Sequence, residues 1–245
     1  MNRSALGQHM AKEIEQIPSV FVARVSNALD LNYRLDNIQS IYTLARGSSD
    51  AAANILAYEW MRELQLPVTS IPPSVFSLGK GVTLNSSACL IISQSGASED
   101  LIKSARSARA LGATVFAISN HHDSAVGQAA DIFVPLNAGP ELAVPATKTV
   151  IGSIAAGMAI LASQKSEYVD ICESASNEFT KLSDRRHPQS EIIINELLHS
   201  QHIYVLGRDT GFGAAQEVAL KLKECCALHA ESYSVSEVMH GPLQL

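Results

Sequence analysis

The sequence predicts an α/β fold, a doubly wound parallel sheet with flanking helices, on three observations. Short apolar runs of strand length alternate with longer segments that are apolar at helical spacing, the pattern of successive βαβ units. The run Ala88-Cys89-Leu90-Ile91-Ile92 is apolar throughout, as expected of a strand covered on both sides. The segment Ile38-Gln39-Ser40-Ile41-Tyr42-Thr43-Leu44-Ala45-Arg46-Gly47-Ser48 has an echo in Gln201-His202-Ile203-Tyr204-Val205-Leu206-Gly207-Arg208-Asp209-Thr210. Each is a strand ending in a small, Arg-containing, hydroxyl-bearing turn ahead of an Ala-rich helix, so two related subdomains are expected in tandem.

The chain to about Asn32 reads as helical, with Pro18 marking a break. Strands are expected at residues 38–45, 68–71, 88–92, 114–118 and 132–134, the second ended by Pro72-Pro73. Helices are expected at 51–64, 98–111 and 147–162. In the second of these, Leu101, Ile102, Ala105, Ala108 and Leu111 share a face and Ser98 stands at the N-cap. Residues 164–199 are charged and helical and read as a bridge or small bundle. Residues 1–199 therefore hold an N-terminal helix, a first subdomain and the bridge, and residues 200–245 begin the second subdomain, with a helix at 213–228 and a strand at 230–235. A strand–helix–strand fragment does not cover its own sheet, so the expectation is that the chain continues beyond Leu245 or that a partner completes it.

With 245 residues, 47% hydrophobic and 17% charged, the chain suits one or two domains and is too apolar for disorder. A net charge of −6 recommends neither nucleic acid nor an anionic membrane, and an anionic ligand needs a local cluster of donors. Residues 1–17 carry Lys12, Glu13 and Glu15 and lack the apolar core of a signal peptide. The longest apolar stretch, 151–162, is broken by Gly152, Ser153 and Gly157 and is too short to span a bilayer. Cys89, Cys172, Cys225 and Cys226 have no C-x-x-C spacing and read as reduced core thiols of a cytoplasmic protein.

Two turns carry the candidate chemistry. Ser93-Gln94-Ser95-Gly96 follows the buried strand with Ser98 two residues on, and Arg46-Gly47-Ser48-Ser49 stands in the same relation to the first strand. A strand that breaks at hydroxyl residues and reopens as a helix offers an anion free N–H groups, the positive end of a helix dipole and hydroxyl donors. Ligands of doubly wound sheets sit at the carboxyl ends of strands. Taken alone, the Ser93 segment is explained equally well as an ordinary turn with a serine cap, and Glu99 and Asp100 compete there with a phosphate. Neither turn is a Walker loop or a G-x-G-x-x-G fingerprint, so the expected ligand is one phosphate on a small molecule, without a cofactor.

Glu217, Lys221 and Glu224 fall on one face of the last helix, and Val218, Ala219, Leu222, Cys225 and Cys226 make the opposite face apolar. A solvated ion-pair stripe is the plain reading. The helix follows a strand, and this places it at the same sheet edge; there a carboxylate beside a lysine can serve as a general base. His240 precedes Gly241-Pro242, a setting that is usually structural. The other histidines, including His121-His122, His199 and His202, have no Cys or carboxylate at ligand spacing, so no metal site is expected.

Arg46-Gly47-Ser48-Ser49, Ser93-Gln94-Ser95-Gly96, the segment Ala138-Gly139-Pro140-Glu141-Leu142-Ala143-Val144-Pro145-Ala146-Thr147-Lys148-Thr149, Ala219-Leu220-Lys221-Leu222-Lys223-Glu224 and His240-Gly241-Pro242-Leu243 together resemble the sugar isomerase (SIS) family. The likeness runs from about residue 38 to the end, and is greatest to the isomerase half of glucosamine-fructose-6-phosphate aminotransferase and its stand-alone deaminase relatives. It implies that Ser93, Gln94, Ser95 and Ser98 hold the substrate phosphate, that Gly47, Ser48 and Ser49 line the same pocket, and that the backbone around Val144 meets the sugar. It further implies Glu224 as the base moving a proton between C2 and C1, Lys221 and Glu217 beside it, and His240 opening the sugar ring. Ala146 departs from the family, which carries serine there in the aminotransferases, and the family's C-terminal loop, with a lysine that reaches the sugar carbonyl, lies beyond Leu245. The likeness also implies a homodimer, with His240 reaching into the neighbouring subunit's pocket.

Among the family's reactions the expectation is deamination of glucosamine 6-phosphate. Position two is Asn2, where the aminotransferases carry a cysteine nucleophile, and the residues before Ile38 leave no room for a glutamine-hydrolysing domain. A galactosamine-6-phosphate deaminase or isomerase, a fructosamine-6-phosphate deglycase and a non-catalytic sugar-phosphate sensor stand as alternatives. The sensor reading lacks the basic helix-turn-helix that precedes such modules in transcription regulators.

Overall fold

The computed structural model describes residues 7–27, 29–183 and 188–244. Strands β1 (Ser40–Leu44), β2 (Val68–Ser70), β3 (Ser87–Ile92), β4 (Ala113–Ser119) and β5 (Ile132–Pro135) form a five-stranded sheet in the order β2-β1-β3-β4-β5. Every pairing is parallel, with Tyr42 opposite both Thr69 and Cys89, and Cys89 opposite Val115. The order changes direction between β1 and β3. That is the point at which the carboxyl ends of neighbouring strands open a crevice, because their crossovers leave toward opposite faces.

β3 is buried over its whole length, and its two-residue period divides its side chains between two cores. Ala88, Leu90 and Ile92 face α2 (Ile17–Ser26), α3 (Ser48–Leu64), α7 (Lys148–Gln164) and α8 (Tyr168–Ser183), where they join Phe21, Leu56, Trp60, Ile160 and Tyr168. Cys89 and Ile91 face α4 (Ser74–Ser77), α5 (Glu99–Ala110) and α6 (Ala125–Ala129), with Phe76, Leu101, Ala105 and Val126. Two closed apolar layers are what the unbroken hydrophobicity of β3 requires.

The opening helical segment is two helices, α1 (Gln8–Glu15) and α2, and the chain turns at Gln16 and not at Pro18. Pro18 sits in the first turn of α2, where its missing N–H has no helical acceptor to lose. α3 begins at Ser48, earlier than expected, because Gly47 turns the chain at φ 58° and ψ −133° directly into the helix. The expected helix over residues 1–6 and part of the bridge, 184–187, lie outside the described residues. The rest of the bridge is α8 and α9 (Ser190–His199).

The second unit is β6 (His202–Gly207), α10 (Thr210–Cys226) and β7 (His229–Ser234), a parallel strand–helix–strand motif followed by α11 (Val235–Val238). α10 packs antiparallel along α3. Ser48 meets Lys221, Asn54 donates to Gln216 at 2.8 Å, and Arg62 meets Asp209. Of the apolar face expected on α10, only Ala219 is buried and Leu222 is half-buried. Gly213, Ala215 and Ala219 are buried, because small residues let α10 approach α3 closely, whereas Val218, Cys225 and Cys226 are exposed. Of the four cysteines expected in the core only Cys89 and Cys172 are buried, with burial pushing the Cys172 thiol up to about 11. Among the described residues no helix is long and apolar enough to cross a membrane.

Candidate active site

The turns after β1 and β3 lie side by side at the carboxyl edge of the sheet, at its switch point. In the β3 turn, Gly96 takes φ 59°, and a Cβ there would fall 2.3 Å from the Ser124 Cβ and 2.6 Å from the Ser119 Oγ. Only glycine fits, and the turn is pressed tightly against the end of β4. Ser93 is buried and its Oγ accepts the Gly96 N–H at 3.1 Å, while the Ser95 Oγ accepts from the Ala97 N–H at 3.3 Å. Ser98 occupies the N-cap position of α5 as expected, but its side chain makes no capping bond. The turn's internal bonds are thus carried by Ser93 and Ser95, while Ser95 is exposed and Gln94 and Ser98 are half-buried at its surface. At α3 likewise, Gly47 is the N-cap and no side chain caps the first turn.

The competition expected from Glu99 and Asp100 is largely neutralised. Arg46 from the first turn pairs with Asp100 at 3.3 Å, joining the two turns, and Glu99 pairs with Lys103 at 3.1 Å. Exposed pairs of this kind add little stability. They do give each acidic side chain a cation in place of a bare field directed at an incoming anion.

α10 supplies the reactive groups from its C-terminal end. Lys221 Nζ donates to the Ser48 Oγ at 2.8 Å and to the Glu224 Oε2 at 2.8 Å, and lies 3.1 Å from the Glu217 Oε1. The Lys221 and Glu217 side chains are 19% and 18% exposed, so this is not the solvated stripe of the plain reading. Burial pulls the Lys221 ammonium down, and its bonds to Glu224 and Glu217 more than reverse that, leaving it above the usual lysine range. Burial raises Glu217 above the usual carboxylate range against the opposing pull of Lys221, and the Glu217 Oε2 has no hydrogen-bond partner. Glu224 is the more open carboxylate, 43% exposed and held by Lys221.

The position of α10 at this edge has a different cause from the one expected. Because α10 runs antiparallel to α3, the turn that opens it, Arg208-Asp209-Thr210, lies at the opposite end of the helix pair. Lys221 and Glu224 reach Ser48 because they are near its close. β7 runs antiparallel to α10 and so carries the chain away from Glu224, and His240 after it is exposed and makes no hydrogen bond to Glu224 among the described residues. Thus Ser48, Glu217, Lys221 and Glu224 are brought together, and Gly47, Ser49, Ser93, Gln94, Ser95 and Ser98 border them in the two turns. His240 stands apart. Val144, 99% exposed, is on the loop after β5.

Several supporting residues escaped the sequence reading. Asn120, at the end of β4, receives nothing from a motif, yet its N–H donates to the Gln94 carbonyl at 3.1 Å and its side chain clamps Ala138 and Gly139. Asp50, in the first turn of α3, is half-buried and raised by that burial, with the Ser70 hydroxyl opposing. Glu141 closes the N-terminus of α7, accepting from the Thr147 and Thr149 N–H groups at 3.1 Å each. Only Glu141 had a signal, its place in the segment quoted above.

A five-stranded parallel sheet with hydroxyl-bearing turns at its switch point and a Glu–Lys–Glu cluster beside them defines an α/β protein whose candidate site lies at the carboxyl edge of its sheet. The chain belongs to the SIS domain family, whose pattern matches residues 34–163. It is 34% identical over 260 aligned positions to the glutamine–fructose-6-phosphate aminotransferase [isomerizing] of Mesorhizobium japonicum, covering 96% of this chain and 42% of that one. The solved structure of a Silicibacter pomeroyi protein superposes with a TM-score of 0.84 at 35% identity, over 96% of this chain and 73% of that one. Glucosamine-6-phosphate deaminase of Thermotoga maritima shares the fold, with a TM-score of 0.73 at 20% identity over 97% of this chain and 73% of its own. The chain therefore spans less than half the length of its aminotransferase relative.

Proposed function

We propose that this chain binds an amino-sugar 6-phosphate and moves a proton between its C2 and C1, converting glucosamine 6-phosphate and water to fructose 6-phosphate and ammonia. The observation that carries the reading is the delivery of Glu217, Lys221 and Glu224 by α10 to the Ser48 hydroxyl beside two uncapped helix N-termini. The phosphate lies against the N–H groups that open α3 and α5 and takes hydroxyl donors from Ser95 and Ser98. That fixes the far end of the sugar, so that a carbon near its other end meets the carboxylate.

Glu224 takes the proton from C2 of the open-chain aldehyde. The C2–H electron pair forms a C1–C2 double bond and the aldehyde oxygen gains a proton. Return of a proton to C1 with loss of one from nitrogen gives the C2 imine, and water replaces the nitrogen as ammonia. Lys221, kept as an ammonium by its two carboxylates, stabilises the negative charge that develops beside it. Glu217 holds Lys221 from the buried side. His240, carried away from Glu224 by β7, opens the ring in the pocket of a second copy, so the working unit is a homodimer with composite sites.

Incubation with glucosamine 6-phosphate in deuterium oxide tests the reading. Fructose 6-phosphate and ammonia are expected in equal amounts, with deuterium at C1 in the fraction of turnovers in which the proton held on Glu224 exchanges with solvent. Binding with neither exchange nor ammonia identifies a sugar-phosphate sensor and overturns the proposal. Parallel incubation with galactosamine 6-phosphate reads the preference at C4.

A further inference from the structure

The loop 136–147, between β5 and α7, is held at three points. Asn120 fixes its start, accepting from the Ala138 N–H at 3.0 Å and donating to the Gly139 carbonyl at 2.7 Å. Glu141 ties its end to the first turn of α7. The third hold comes from α1, far away in sequence. Glu13 is 4% exposed, and its carboxylate accepts from the Leu142 N–H and, at 3.3 Å, from the Ala143 N–H. One helical turn on, Gln16 receives the buried Lys148 Nζ at 2.6 Å.

A carboxylate on the first helix is rarely buried without a cation in contact, and burying one costs free energy unless its lone pairs are met. Here backbone N–H groups meet them, and those groups belong to the two residues directly before Val144. Leu142 and Val144 themselves remain 66% and 99% exposed. Core packing therefore does not set this stretch, and polar latches on either side do. The same loop is joined through Asn120 to the Gln94 carbonyl of the cradle turn.

We infer that Glu13 is a positioning residue for the sugar: α1 is a strap whose buried carboxylate fixes residues 142 and 143 of the loop that Asn120 joins to the cradle turn. This rests on the function proposed above, since it takes the cradle to hold the phosphate end of that substrate. A backbone free to move by an ångström loses orientation without losing the phosphate contact. The effect is therefore expected on the sugar and not on phosphate.

The test compares the parent with Glu13→Gln, which keeps one acceptor oxygen, and Glu13→Ala, which keeps none. Hydrogen exchange reads the latch: the Leu142 and Ala143 amides are protected in the parent, less in Gln and least in Ala. The KM for glucosamine 6-phosphate is expected to rise about tenfold in Ala, with Gln between, while turnover changes less and inorganic phosphate binds all three equally. Where Glu13→Ala does not fold, Glu13→Gln carries the comparison alone. Lost amide protection with an unchanged KM, or an equal loss of inorganic phosphate binding, overturns the inference while leaving the proposed function standing. If the parent binds glucosamine 6-phosphate without turning it over, calorimetric affinities replace the KM in the same comparison. If the parent does not bind it at all, the proposed function fails and this inference with it.

Discussion

Gly47 enters α3 at φ 58° and ψ −133°, and Asp209 enters α10 at φ 57° and ψ −136°. The two turns are one backbone used twice, as the echo between residues 38–48 and 201–210 predicts. At the first, glycine leaves the helix N-terminus without a side-chain cap, and Ser48 directly after it meets Lys221. At the second, an aspartate fills the same strained conformation, accepting from the Thr210 N–H at 2.8 Å and taking both Arg62 Nη2 contacts at 2.8 and 2.9 Å. One turn leaves its helix N-terminus without a side-chain cap, and the other fills its own with an internal anion. The antiparallel pairing of α3 and α10 then lets the second repeat contribute by its opposite end, through Lys221 and Glu224.

The largest loss is expected from removing the proton acceptor that α10 delivers. Glu224→Gln should lower turnover by roughly 10²–10⁴ while substrate still binds. His240→Ala should be similarly inactive, and the two inactive proteins, after demonstrated subunit exchange, should regain activity together. Near-normal turnover in Glu224→Gln would sink its assignment, and exchange without recovery would sink the shared site.

Gly47→Asp makes the first turn resemble the second. The nearest atom to a Cβ there is the Leu220 Cδ2 at 4.0 Å, so the side chain fits. It costs about 1–3 kcal/mol of stability for the positive φ. The KM for the sugar phosphate should rise at least about tenfold, because the new carboxylate replaces free N–H groups and repels the phosphate. Steady-state kinetics with an unchanged KM would remove Gly47 from the cradle.

How much of this was legible in the sequence differs between the two regions. The five-stranded sheet was, because β3 and its neighbours must be apolar to lie between two helical layers, and glycine and serine mark each turn. The cradle turns and the Glu217–Lys221–Glu224 face were likewise readable as spacing. What sequence spacing does not contain is which way α10 runs past α3. That direction decides that Lys221 meets Ser48, and Gly213, pressed against Ala51 and Ile55, lets the two helices come close enough for the contact. The latches of Asn120 and Glu13 were illegible for a related reason: their acceptors and donors are backbone groups, which leave no side-chain pattern. The exposed Cys225 and Cys226 show the converse failure, an apolar stripe with nothing packed over it.

A smaller effect separates the buried from the open carboxylate of α10. Burial favours the protonated form of Glu217 in the folded protein, raising it above the ordinary 4.5. The stability linked to that group is therefore full below 4.5 and lost as pH rises through the higher folded value. The thermal midpoint of the parent relative to Glu217→Gln should fall as pH rises from that point. A flat difference across the range would mean that Lys221 fully offsets the burial.

The smallest effect is expected at the second turn itself. Asp209→Gly removes a side chain from a conformation that costs a non-glycine residue about 1–3 kcal/mol. It also removes the bond to Thr210, about 0.5–2 kcal/mol for a helix cap, and an exposed pair with Arg62 that is worth under about 1 kcal/mol. Glycine further loosens the unfolded chain, by about 0.4–1 kcal/mol. These terms oppose one another, so chemical denaturation should place the variant within about 1 kcal/mol of the parent. Activity should not change, because α10 has 17 residues and Asp209 is at the end away from Lys221 and Glu224, on the order of 20 Å along its axis. Should kcat/KM fall more than a few-fold with stability intact, the closed turn would be feeding the site through the body of α10, and the two ends of that helix would not be independent.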